Sequence, residues 1–295
     1  MDDKIFLLRP LERRVEIVVK NYLRCAQETV KEMTTNYHRI KKYEMIEELI
    51  HEGIFYDFMP YDIEKLSPLW FSTINEINYE LSELINKILI CNYKSSYDSL
   101  RRILELAIIT LYFLNLENDK TKVINWLKSR ENTPRFSDML RKLVSISFFK
   151  EINDQIGLEG KIKKLYWSLS DIVHTKGEEY YIDKLQKTRL IVSMLRLPEL
   201  NKEILFRTLD KYIELIEIIF LLFAVNQPVL LVGLPLEKKF MAEELPLCGY
   251  LMEYQAERLW EIIPDEYHKI LKEIIKDDKG VQSMVEWVNS REDII

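Results

Sequence analysis

Arg101-Arg102-Ile103-Leu104-Glu105-Leu106-Ala107-Ile108-Ile109-Thr110-Leu111-Tyr112-Phe113-Leu114-Asn115-Leu116 carries a single charge, Glu105, between Arg102 and Glu117. A run apolar on nearly every side predicts a helix enclosed by other helices rather than one lying on the surface. Glu105 then needs a partner, because an ionised carboxylate left alone in such surroundings costs several kcal/mol, roughly. Arg101, Arg102 and the distant His174 are the candidates.

The composition supports the same architecture. Seven glycines and nine prolines in 295 residues leave little turn punctuation and long periodic stretches, a pattern that favours α-helix over sheet. A chain of this length buries roughly three quarters of its unfolded surface, enough for one large helical body or a core with two appendages. The net charge of −6 speaks against a uniformly basic nucleic-acid coat. The charge is unevenly spread, however: residues 119–196 hold 16 lysines and arginines against 10 acids, so the remainder carries −12. That basic excess surrounds His174 and fits either an anionic ligand or a solvated helix face.

Helical spacing runs from Leu11 to Ile50 through Val15, Val18, Tyr22, Ala26, Val30, Met33, Tyr37, Ile40 and Ile46, predicting one long helix or two joined near Thr34-Thr35-Asn36. Its apolar stripe either closes an internal core or joins a second protomer. Gly53 to Pro68 reads as a linker. Ser67-Pro68 opens a helix as cap and first residue, and another begins near Ser95-Ser96. Shorter helices follow at about 119–130 and 135–149, then Lys161 to His174, Glu178 to Leu197 and Glu199 to Val225. Val229-Leu230-Leu231-Val232-Gly233 is a short β-like or extended run without the Gly-Lys-Ser/Thr ending of a phosphate loop. The remainder, Leu236 to Ile295, is acidic and helical. These features divide the chain into a helical extension at 1–66, a central bundle at 67–226 and a C-terminal cap at 227–295, an all-α fold.

Several function classes lack support. Cys25, Cys91 and Cys248 have no paired spacing, so neither a disulfide framework nor a zinc knuckle is indicated. The start Met1-Asp2-Asp3-Lys4 is unlike a signal peptide, and the most apolar stretch, Ile218 to Val225, falls far short of the roughly 20 residues that span a bilayer. The chain therefore reads as cytoplasmic, without a membrane partner. No Gly-x-Ser-x-Gly turn supports a hydrolase. Glu48-x-x-His51 and Asp171-x-x-His174 each place a carboxylate and an imidazole on one helical face, which with Glu76 and Glu105 makes a dimetal carboxylate site an alternative. His38 and His268 sit in polar helical contexts and read as exposed.

Taken together, the Arg101–Glu105 helix, the insertion Trp126 to Leu143 and the later helix ending Leu169-Ser170-Asp171-Ile172-Val173-His174-Thr175-Lys176-Gly177 resemble bacterial HEPN-like helical proteins over about residues 67–226. The resemblance implies a helical bundle, a homodimer, a phage-defence or toxin–antitoxin setting, and an RNA, nucleotide or protein partner, with no cofactor. HEPN ribonucleases carry an Arg, often followed by Asn, a few residues before the motif His and cleave RNA without metal at a dimer interface. His174 matches that His, but Leu169 or Ser170 stands where the Arg-Asn pair would be. Leucine neither holds a phosphate nor opposes its growing charge, so the departure argues against cleavage unless Arg101 or Arg102 substitutes from the neighbouring helix.

In this reading His174 is the proton-transfer or ligand-contact group, Arg101 or Arg102 the anion contact, Glu105 the orienter and Ser170 a local hydrogen-bond partner. Trp167, Asp171 and Lys176 complete the binding set, with Trp167, Tyr180 and Tyr181 able to stack on a base. A metal-independent endoribonuclease at a dimer interface is the enzymatic alternative. The plainest alternative is a satisfied polar lock between helices.

Overall fold

The computed structural model describes residues 3–59, 67–116, 120–173, 197–238 and 249–291, and among them all regular structure is helical. The helices run α1 (Asp3–Thr35), α2 (Tyr37–His51), α3 (Ile54–Asp57), α4 (Ser67–Leu89), α5 (Tyr93–Leu114), α6 (Lys120–Leu127) and α7 (Phe136–Leu143). They continue as α8 (Ser147–Ile156), α9 (Leu158–Val173), α10 (Lys202–Asn226), α11 (Glu253–Ile262), α12 (Asp265–Asp277) and α13 (Lys279–Asn289). His174, Lys176 and the helix expected over Glu178 to Leu197 lie outside the described residues, as does Cys248.

α5 occupies the centre, packed against α4, α7, α9 and α10. Leu100, Ile103, Leu104, Ala107, Ile108, Leu111 and Phe113 are all buried, which accounts for a sequence apolar on every side. α10 is enclosed in the same way along Leu215–Val225. Where α10 ends, Phe220 and Phe223 meet Phe55 and Phe58 of the α3 region and Trp70 of α4, with ring centroids 5.4–6.4 Å apart and mostly edge-on. This aromatic cluster draws the Phe55–Phe58 part of the expected linker onto the body.

The turn between α4 and α5 closes through Asn92 N–H to Lys87 O (2.8 Å), with Cys91 in the left-handed region at φ 59° where glycine is the usual residue. The Cys91 thiol sits 3.5 Å from Thr29 Oγ1 of α1. Cys25, one turn earlier on α1, is fully buried and donates to Pro198 O at 3.2 Å, while Asn21 Nδ2 donates to the same carbonyl at 2.8 Å. α1 is thus held along its Asn21–Cys25–Thr29 face, and Val15, Val19, Leu23 and Val30 remain exposed.

Several expectations are refined. The long N-terminal stretch divides at Asn36, and α4 opens at Ser67-Pro68 as predicted. The span expected as one helix at 135–149 is two, α7 and α8, with Ile146 extended at ψ 139° between them. Val229–Gly233 is not a strand. Pro228–Leu231 forms one 3₁₀ turn, and only Leu234 and Met252 make an isolated bridge. His268 is not exposed: its Nε2 lies 2.9 Å from Trp260 O and 2.8 Å from Ile263 O, and its ring meets Trp260 edge-on.

The C-terminal helices are tied to the start of the chain. Arg258 of α11 reaches Glu52 at 3.1 Å and Glu48 at 3.5 Å, and Gly249 N–H donates to Asp57 O at 3.0 Å. Burial raises the Asp57 carboxyl to about 6, aided by the nearby Glu52 charge and opposed by a hydrogen bond from Gln255. Folded Asp57 therefore keeps a proton that the unfolded chain releases, and this contribution to stability is lost as pH rises between about pH 4 and about pH 6. Asp57→Asn removes that term, so thermal melts across this interval should fall less steeply with pH in the variant than in the parent; parallel slopes would show that the buried carboxyl is not responsible.

Candidate functional site

Successive residues on a helix point about 100° apart, and Arg101 and Arg102 consequently turn to different neighbours. Arg102 faces α4, where its guanidinium lies 3.0 Å from Glu80 and 3.6 Å from Glu76. Among the described residues Glu80 is the deeply buried acid, 1% exposed, and its second oxygen accepts from Ser99 Oγ at 2.8 Å, which in turn accepts from Lys87 Nζ at 2.8 Å. A carboxylate taken this far from water is tolerated because two cations and a hydroxyl surround it.

Glu105 sits at an edge rather than in the core, its side chain 29% exposed. It accepts from Arg101 Nε at 3.1 Å and from the Tyr166 hydroxyl of α9 at 3.0 Å. The Arg101 guanidinium lies 5.4 Å from the centre of the Tyr166 ring, and the Phe136 ring of α7 stacks on Tyr166 at 4.0 Å and 9°. Burial and the Glu105 charge both push the Tyr166 hydroxyl up, so it stays protonated and donates. Burial works against the charge on Arg101, yet the Glu105 carboxylate and Tyr166 outweigh it and hold the guanidinium more firmly protonated than usual.

Ser170, one turn beyond Tyr166, is buried and its hydroxyl finds no hydrogen-bond partner, though it lies near enough to Tyr166 to ease that phenol's ionisation. Asp171 is half-buried with a partner of its own. Trp167 is 57% exposed, its ring 5.4 Å from that of Tyr166. The structure thus brings Arg101, Glu105 and Ser170 to the α5–α9 seam, leaves Trp167 on the open side of α9 and turns Arg102 toward α4. Phe136 and Tyr166 were missed in the sequence, although Tyr166 and Ser170 at i, i+4 share one helical face.

Exposed cations flank this seam. The side chains of Arg135, immediately before Phe136, and Lys164, three residues before Trp167, make no ion pair or hydrogen bond with a described residue, and the same holds for the side chains of Lys128 and Arg130 on the loop that leads to Arg135. The dimetal alternative gains no geometry: Glu48 faces Arg258, Glu76 faces Arg102, and no group of three or more His, Cys, Asp and Glu able to hold a metal occurs among the described residues.

The two carboxylates should respond very differently to removal. Glu80→Ala leaves the buried Ser99 hydroxyl without its acceptor while the half-exposed Arg102 turns to water, and should cost about 2 kcal/mol, whereas Glu105→Ala, at a partly solvated edge, should cost about 1 kcal/mol. Urea unfolding of both variants measures the difference, and equal losses would contradict the assignment of Glu80 as the structural carboxylate. Comparison of the chain with family models, with curated proteins and with solved structures finds no match.

Proposed function

We propose that the protein is a HEPN-like, RNA-binding component of a bacterial defence or toxin–antitoxin type system that holds single-stranded RNA without cleaving it. The observation that carries this reading is Trp167, a large aromatic left 57% exposed, with Lys164 one turn before it and Arg135 beside the Phe136–Tyr166 stack, both exposed and with side chains that meet no carboxylate among the described residues. An open indole surface offers a stacking platform to any base, and nearby free cations attract the backbone phosphates; the pairing is the usual means of holding single strands with little sequence preference. The local basic excess of residues 119–196 favours the same partner.

Cleavage is disfavoured by the fate of the two arginines. Catalysis at a phosphate needs a guanidinium free to meet charge as it grows. Arg101 is engaged by Glu105 and Tyr166, and Arg102 by Glu80 and Glu76 on the far side of the helix. A phosphate would have to displace a carboxylate from either one. The Arg101–Glu105–Tyr166 group is better suited to fixing α9 against α5 and so presenting Trp167.

Fluorescence anisotropy with a labelled oligouridylate in EDTA tests the proposal. Binding should weaken about tenfold in Trp167→Ala, and Arg135→Gln should lower the slope of log affinity against log salt by about one between about 50 and 200 mM. Absence of binding, or indifference to Trp167→Ala, would overturn the reading. Cleavage of the oligonucleotide that disappears in His174→Ala would replace it with the ribonuclease alternative.

A further inference from the structure

The face of α1 that carries Asn21, Cys25 and Thr29 is the one fastened to the rest of the molecule. Beside it a second stripe stays open. Val15, Val19, Leu23 and Val30 are 53%, 58%, 59% and 52% exposed, Tyr22 is 38% exposed, and Ala26 is half-buried. At about 100° per residue these side chains share a sector roughly 100° wide, the width of an apolar stripe that meets another helix. Valine is a poor helix former, so a helix with three of them on an open face draws stability from whatever packs there.

The order of the stripe points to its partner. Positions 15, 19, 22, 23, 26 and 30 read the same in both directions about the midpoint of Tyr22 and Leu23. Reflection carries Val15 onto Val30, Val19 onto Ala26 and Tyr22 onto Leu23. A foreign helix has no need of that symmetry. A second copy lying antiparallel does, because in a two-fold contact residue i meets j and j meets i, so every apolar residue finds an apolar one only if the pattern reverses onto itself.

Charge separates the antiparallel arrangement from the parallel one. Glu16 and Lys31 border the same long edge of the stripe, outside Leu23 and Val30. Antiparallel pairing brings Glu16 of each copy beside Lys31 of the other, whereas parallel pairing sets Glu16 against Glu16 and Lys31 against Lys31. Within one chain the two side chains stand about 22 Å apart along the helix and cannot meet. The intrachain partner of Glu16 is Lys20 at 2.6 Å, and both are largely exposed, which leaves the carboxylate open to a second cation.

We propose that the Val15–Val30 face of α1 is the contact between two copies of this chain, laid antiparallel with the two-fold axis between Tyr22 and Leu23. The contact uses neither α9 nor the loop before α7, and it stands independently of the RNA-binding reading.

Sedimentation velocity of the full chain, followed from about 1 to about 100 µM, should show a dimer. Val19→Glu combined with Leu23→Glu places charges in the centre of the contact and should raise the dimer dissociation constant at least about hundredfold. Glu16→Lys should weaken the dimer about tenfold, and Lys31→Glu added to it should restore the parent value. That rescue reports on a contact between chains, and it changes exposed positions only, so it stays readable should the double glutamate variant fold poorly. A parent that remains monomeric up to about 100 µM would overturn the proposal, and a monomer whose melting falls in Val19→Glu with Leu23→Glu would assign the stripe to a cover within the chain. A dimer indifferent to those two glutamates, or charge variants that show anything other than loss and rescue, would overturn it equally.

Discussion

A carboxylate lodged between two apolar helices governs the arrangement of the bundle. Glu80 of α4 is nearly inaccessible to water and must be met by Arg102 and Ser99 of α5. That requirement sets the rotation of α5 about its own axis, since any large turn would carry Arg102 away and leave the charge unpaired. With Arg102 committed to α4, helical geometry carries Arg101 and Glu105 round to α9, where Tyr166 closes the second seam. The placement of Trp167 on the open side of α9 follows from these two polar seams.

The two seams differ in what they can exchange with solvent. Glu80, Ser99 and Lys87 form a chain of hydrogen bonds inside the α4–α5 interface, a setting in which every member must be satisfied or the interface is weakened. Glu105 and Arg101 lie at a margin where water competes for both, and the aromatic faces of Tyr166 and Phe136 supply much of the holding contact. Charge at the margin is internally balanced, so the cations still open to an anionic partner are those that no carboxylate among the described residues reaches, on the loop before α7 and on the outer side of α9.

Local features of the fold were readable from residue patterns because their causes are local. Ser67-Pro68 marks a helix start whatever it packs against, Asn36 interrupts a long periodic stretch, and the unbroken apolar run after Arg102 describes an enclosed helix. The buried acid was assigned to Glu105 because its sequence neighbours are apolar. Glu80 stands between Tyr79 and Leu81, with polar Asn78 and Ser82 beyond them, and does not stand out in sequence, yet it lies in line with Ile77 and Leu84 on the face that meets α5. The stripe carried the signal, and its depth depends on the partner helix. The same limit hid the Cys25–Thr29–Cys91 contact and the Phe136–Tyr166 stack, each made by residues distant in the chain. The HEPN-like resemblance rests on a short motif whose histidine lies outside the described residues.

The anchorage of α1 bears on how the chain matures during synthesis. Asn21 and Cys25 secure their helix by binding the carbonyl of Pro198, a partner 177 positions further along in the case of Asn21. At ribosomal speeds of about 5–20 residues per second, the anchor follows the helix by roughly ten to thirty seconds. During that delay the Asn21–Cys25–Thr29 face travels without its final companion, and the arginines and glutamates interspersed along α1 keep such a nascent segment dispersed.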